Sequence, residues 1–272
     1  MTERHAAAEQ PVCSVAGLVS YDGTDYHGFQ VQAGVPTIQG ALEMALAAFA
    51  QPESRVSGAH SVAALQNAWN AHLPPAIHVR RLVAAPEGFH PRFSARWRTY
   101  RYTVIQAAGR GPVRAPLTDR YTWLVAQPLD WAAMQEAAQQ LLGEHDFATF
   151  GQPAQGESTV RRVNQAEWQP VESSLPCLDP YPGAMWVFTI RANGFLRQMV
   201  RSLVGTLVMV GRGELSVAAF EKRLAARERS LAAPPAPPQG LVLEQVDYPD
   251  QWALWSGAVG SHPAESHARG AA

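Results

Sequence analysis

The 272-residue sequence contains only two cysteines, Cys13 and Cys177. Neither lies in a CxxC or Cys/His spacing, which excludes a disulfide framework and a thiolate metal site and suits a reducing compartment. Charge is also sparse: 22 basic residues nearly cancel 23 acidic ones, for a net of -1. No global field attracts a polyanion, so any nucleic-acid contact must come from a local cluster. A long uninterrupted apolar run is missing too. The densest one, at 193–208, carries Arg197 and Arg201, too early for a membrane span. Residues 1–10 are polar, with no apolar core of a secretory signal, so a soluble cytoplasmic protein is expected.

What is present is amphipathic and alternating. Strands are expected at 12–21, 77–83, 98–104, up to Trp168 after a basic turn at 158–162, and at 184–192 and 241–246. Helices are expected from Thr37 (as N-cap) with Ile38, Leu42, Ala45, Leu46 and Phe49 inward, at 60–70, at 128–142, at 193–208, and from Ser216 to Arg227. The residues 55–59 read as the start of another strand, cut off at once. Prolines at 234–238 make a stiff connector. The 1–11 leader and the 256–272 tail read as disordered. The Gly/Pro/Arg stretch 109–116 is a candidate boundary between an N-terminal lobe, 12–108, and a C-terminal lobe, 109–255. Elements of both kinds recur in each half, which predicts two α+β lobes.

Three features carry chemistry. In the helix expected at 193–208, Arg201 falls on a face otherwise built for burial. Either its guanidinium meets a carboxylate or phosphate, or its stem packs while its head reaches water. In the 98–104 strand, Tyr100, Tyr102 and Val104 share one face and Thr99, Arg101 and Thr103 the other. Tyrosines beside arginines stack bases and contact phosphates in single-stranded RNA binders; the other reading is two tyrosines in a sheet core. Local basic clusters lie at Arg92–Arg101 and Arg191–Arg201.

Several fragments, in colinear order from about Val15 to Pro249, carry a resemblance. They are Tyr21-Asp22-Gly23-Thr24 with Gly28-Phe29-Gln30 and Gln32; Thr37-Ile38-Gln39-Gly40 with Leu42-Glu43; and Asn70-Ala71 with Leu73-Pro74. Phe89-His90 and Arg92-Phe93-Ser94-Ala95 follow, then Arg98 with Tyr100-Arg101-Tyr102. The second half adds Phe195-Leu196 with Met199-Val200-Arg201 and Val204-Gly205, Gly240-Leu241 with Leu243, and Val246-Asp247-Tyr248-Pro249. Together they resemble the bacterial tRNA pseudouridine synthase A family. The resemblance implies a homodimeric α+β enzyme of two ferredoxin-like (RRM-like) lobes with antiparallel sheets around a basic cleft. Such an enzyme isomerises uridine to pseudouridine in the tRNA anticodon arm, without cofactor or metal. A catalytic Asp attacks the flipped nucleotide covalently. By position Tyr100 is the tyrosine packing on the uracil, Arg201 the arginine pairing with the catalytic Asp, and Leu241 the apolar pocket residue, with Arg101 and Arg92 as further substrate-binding candidates.

One departure matters. The family's Arg-Thr-Asp-Ala-Gly-Val-His stretch has no counterpart, because Ala59 runs straight into His60-Ser61-Val62. No catalytic residue is identifiable: Asp22 and Asp25 match another part of the pattern, and Asp119, Asp130 and Asp146 match none. The first lobe is expected to lack a strand. A tRNA-binding chain or pseudoenzyme subunit without isomerase activity is therefore the alternative to an active synthase.

Overall fold

The computed structural model describes residues 14–49, 62–107, 116–153, 158–171, 183–252 and 254. The leader 1–11, the interrupted strand at 55–59 and the tail 256–272 lie outside the described residues. The chain forms two compact units, residues 1–91 with 249–272, and residues 92–248. Residues 109–115 of the stretch expected as a domain boundary also lie outside the described residues.

In the first unit, β1 (Val15–Tyr21) pairs antiparallel with β2 (Ile77–Ala84), and α1 (Ile38–Ala47) and α2 (Val62–His72) accompany them. α1 starts where the sequence says it should: the Gly40 N–H donates to the Thr37 hydroxyl oxygen at 3.2 Å. Ile38 and Leu42 meet Ile77, Val79 and Leu82 in a small core, with Leu65 and Trp69 at its margin. α2 buries no residue fully, so it is held by polar contacts as well. The Asn70 side-chain amide donates to the Val79 carbonyl at 2.9 Å and accepts from the Val79 N–H at 2.8 Å. Gln66 donates to the carbonyls of Val79 and Arg80. These amides occupy the strand edge that faces away from β1, where a neighbouring strand would otherwise satisfy the backbone.

The second unit is built on a six-stranded sheet in the order β4-β3-β7-β6-β5, with β8 also on β3. The strands are β3 (Trp97–Ala107), β4 (Trp123–Val125), β5 (Gly143–Asp146), β6 (Val160–Pro170), β7 (Gly183–Ala192) and β8 (Leu241–Asp247). All pairings are antiparallel except β3 with β4. The helices are the short α3 (Pro116–Asp119), α4 (Trp131–Gln139), α5 (Met199–Gly211) and α6 (Val217–Ala226). Together the two units make an α+β protein. α4 is shorter than the 128–142 periodicity predicts because Asp130 caps it, accepting from the Ala133 N–H. Ser216 caps α6 likewise.

Every residue of α5 except Arg201 and Met209 is buried. Each large apolar side chain enclosed there contributes about 1.5–3 kcal/mol, so this helix organises the core with Phe188, Ile190 and Phe220. Its start is a correction. The apolar run predicts a helix from Asn193, but α5 begins at Met199. Arg197 is instead drawn into a bridge with Gln152, the two backbones exchanging bonds of 2.9 and 3.2 Å. Gln198 then takes a left-handed conformation, φ 63°. Gly151 permits the bridge, since a Cβ there would lie 2.4 Å from the Leu196 Cβ. Arg197 and Arg201 therefore share no helical stripe.

Candidate nucleic-acid interface

The β3–β7 register brings the two basic clusters to one end of the sheet. Thr99 pairs with Arg191 and Arg98 with Ala192, and the β6 arginines join them where the Arg162 N–H donates to the Asn193 side chain. At this end the Tyr100 ring meets Phe195 edge-on, centroids 4.9 Å apart and planes at 84°. Tyr100 is half-buried. Tyr102, two residues on, is fully buried. Its hydroxyl donates to the Pro237 carbonyl at 2.7 Å. Burial raises its pKa well above the usual phenol value, with the nearby Arg201 charge opposing. The strand face thus divides: Tyr102 is core, while Tyr100 on the same face is only half-buried beside Phe195. Leu241 pairs with Tyr102 and packs, half-buried, against the same core.

Arg201 is half-buried in the first turn of α5. Its Nε donates to the Ala236 carbonyl at 2.6 Å, and its own carbonyl accepts from the Ala236 N–H at 2.9 Å. Among the described residues no carboxylate reaches it, so the expected ion pair is replaced there by a backbone carbonyl. Arg101 lies on the face opposite Tyr100 and is engaged by Glu244 at 2.8 Å. Arg92 is exposed, its guanidinium 5.4 Å from the Phe93 ring centre.

Arg98 is the organiser that the sequence reading missed. Its Nη1 donates to the carbonyls of Ala95 and Asn193 at 3.1 and 2.7 Å, and its Nη2 to that of Arg92. It therefore clamps the 92–95 loop to the start of the 193–198 loop. Burial pulls its pKa below the ordinary guanidinium value, while Tyr248 and Tyr100 act in the other sense. The signal was available: Arg98 is two residues from Tyr100, hence on its face.

The remaining aspartates divide by role. Asp130 is the α4 cap, and Asp146 accepts from the Ala148 N–H and pairs with Arg227 at 3.1 Å. Asp22 closes a turn onto Thr24 in the other unit. Among the described residues no three His, Cys, Asp or Glu side chains converge on a metal position, and no helix is long and apolar enough to cross a membrane.

Comparison with known proteins agrees with the resemblance. A profile described as tRNA pseudouridine synthase matches residues 137–249. A protein from Bordetella petrii named tRNA pseudouridine synthase A is 39% identical over 261 aligned positions, covering 87% of this chain and 91% of the relative. Proteins of the same name from Chloroflexus aurantiacus and Dechloromonas aromatica are 38% and 37% identical, covering 89% and 88% of this chain and 91% and 94% of theirs. Since 87% of 272 residues is about 237, about two dozen of the 261 Bordetella positions face no residue here. With identity at this level spread over nearly the whole length of each relative, the chain belongs to the tRNA pseudouridine synthase A family.

Proposed function

We propose that the chain is a tRNA pseudouridine synthase whose Tyr100 end of the six-stranded sheet receives a flipped uridine of the anticodon stem-loop. The observation that carries this is Tyr100, partly exposed, held edge-on by Phe195 and set among arginines by the β3–β7 register. A ring so placed offers a face to a base removed from its stack. Leu241, opposite Tyr102 on β8, supplies apolar surface two residues along from Tyr100, and Arg92 adds charge at the rim. Arg101 would have to exchange Glu244 for a phosphate, since the sheet sends it to the opposite face. The ferredoxin-like form of each lobe, a homodimer and a cytoplasmic setting go with this reading through the family resemblance.

The alternative, binding without isomerisation, rests on the sequence alone, in which the family's Arg-Thr-Asp-Ala-Gly-Val-His stretch has no counterpart.

One experiment separates the two: tritium release from tRNA labelled at uracil C5, using the full chain at high enzyme concentration. Steady release establishes isomerisation and sinks the second reading. No release, with tRNA still shifted in a gel, establishes the second. In that case, inserting the family's segment after Ala59 should restore release. Absence of both release and binding refutes the proposal outright.

A further inference from the structure

The arginines at the sheet end are not equivalent, and the structure sorts them. Arg98 is spent on three backbone carbonyls, Arg191 on Asp247 at 3.0 Å and the Trp97 ring, and Arg162 on Glu144 at 3.4 Å. Arg101 and Arg201 are held by Glu244 and the Ala236 carbonyl. A phosphate approaching any of these meets a protein acceptor already in place, a carboxylate at Arg191, Arg162 and Arg101.

Arg96 and Arg197 differ. Both are exposed, and among the described residues neither side chain has a hydrogen-bond, ion-pair or ring partner. Their backbones are nonetheless fixed. The Arg96 N–H donates to the Asp247 carbonyl at 2.7 Å, beside the Trp97–Asp247 pair that closes the β3–β8 ladder. Arg197 is held by the pair of backbone hydrogen bonds with Gln152 and followed by the left-handed Gln198. Each presents a free, hydrated charge from an anchored Cα at the same end of the sheet. A phosphate can be taken there without breaking anything and without ordering the main chain.

We infer that Arg96 and Arg197 are the principal phosphate contacts of this interface, gripping the backbone of the RNA strand whose base enters beside Tyr100. The inference rests on the tRNA reading above. It is specific to two residues that neither the resemblance nor the charge clusters single out.

The test is the salt dependence of binding. Fluorescence anisotropy of a labelled anticodon stem-loop is followed from 50 to 200 mM KCl for the full chain. For R96Q and R197Q, the slope of log K against log[salt] should each shrink by about 0.7–0.9, and for the double variant by about twice that. Arg197→Lys, which keeps the charge, should restore the wild-type slope. R162Q removes the same charge from a paired residue and should leave the slope nearly unchanged. Urea midpoints equal to wild type exclude unfolding as the cause. Wild-type binding that is salt-sensitive, with slopes unchanged in R96Q and R197Q, overturns the inference alone. So does an R162Q loss as large as that of R197Q. Wild-type binding that is absent or indifferent to salt overturns the tRNA reading and the inference with it.

Discussion

Gly205, in the middle of α5, sets two effects of opposite sign against each other. Replacing it with Ala should stabilise a helix interior by about 1 kcal/mol, through lower backbone entropy in the unfolded chain. The new Cβ, however, would stand 2.5 Å from the Pro234 carbonyl oxygen, with the Ala233 Cβ and Ala236 N–H at 3.5 Å. That carbonyl cannot retreat alone. Its segment is tied to α5 by the Ala233 N–H to the Thr206 hydroxyl, the Ala236 N–H to the Arg201 carbonyl, and Arg201 Nε to the Ala236 carbonyl, at 3.2, 2.9 and 2.6 Å. Letting the connector move releases these bonds, each worth about 0.5–1.5 kcal/mol net and more for the charged one. Keeping it in place strains a packed core by about 1–3 kcal/mol. At its central value either route outweighs the propensity gain, so Gly205→Ala should destabilise by about 1 kcal/mol net and by no more than about 2, lowering Tm by about 2–4 °C per kcal/mol for a unit of this size. Urea unfolding reports it, read by near-UV circular dichroism of the stacked Trp131–Trp186 pair, whose centroids lie 4.5 Å apart at 10° in the same unit. A midpoint equal to or above wild type would refute the reasoning, since the 233–236 segment would then be free to yield.

Other perturbations test separate parts of the structure. Asn70→Leu strips both amide bonds from the buried Val79 backbone and should cost about 1–3 kcal/mol, with faster hydrogen exchange at the Val79 amide; unchanged exchange would mean that the edge needs no cap. Tyr102, Tyr21 and Tyr248 all have pKa values raised by burial. Their stabilising contribution is therefore complete below the unfolded tyrosine value of about 10 and is lost above it. Unfolding free energy should fall by about 1.4 kcal/mol per pH unit for each tyrosine still protonated in the fold, and Tyr102→Phe should make a urea-midpoint series from pH 9 to 11 shallower. Tyr100→Ala should weaken anticodon stem-loop affinity by about 1–3 kcal/mol, with Tyr100→Phe nearly neutral, if a base stacks on the ring. Equal losses from both substitutions would point to the hydroxyl instead.

Residues near one another in the chain decided much of this protein. Thr37 and Ser216 cap their helices through bonds to N–H groups three residues away, so the starts of α1 and α6 are legible without any tertiary information. Alternation marks β3 and β7 because side chains on a strand change face at every residue. The density of apolar residues after Arg197 shows that a helix is enclosed there, since such a run has nowhere else to go. Only the tertiary structure could place Arg197 outside that helix, because its competitor, Gln152, lies far away in sequence and offers a backbone bridge that helical periodicity does not reveal. The same limit holds for the arginines. Whether a guanidinium is free or spent depends on partners such as Asn193 for Arg98, Glu244 for Arg101 and Ala236 for Arg201. Register selects those partners, and register is set by the packing of whole strands against the core rather than by the residues on either side.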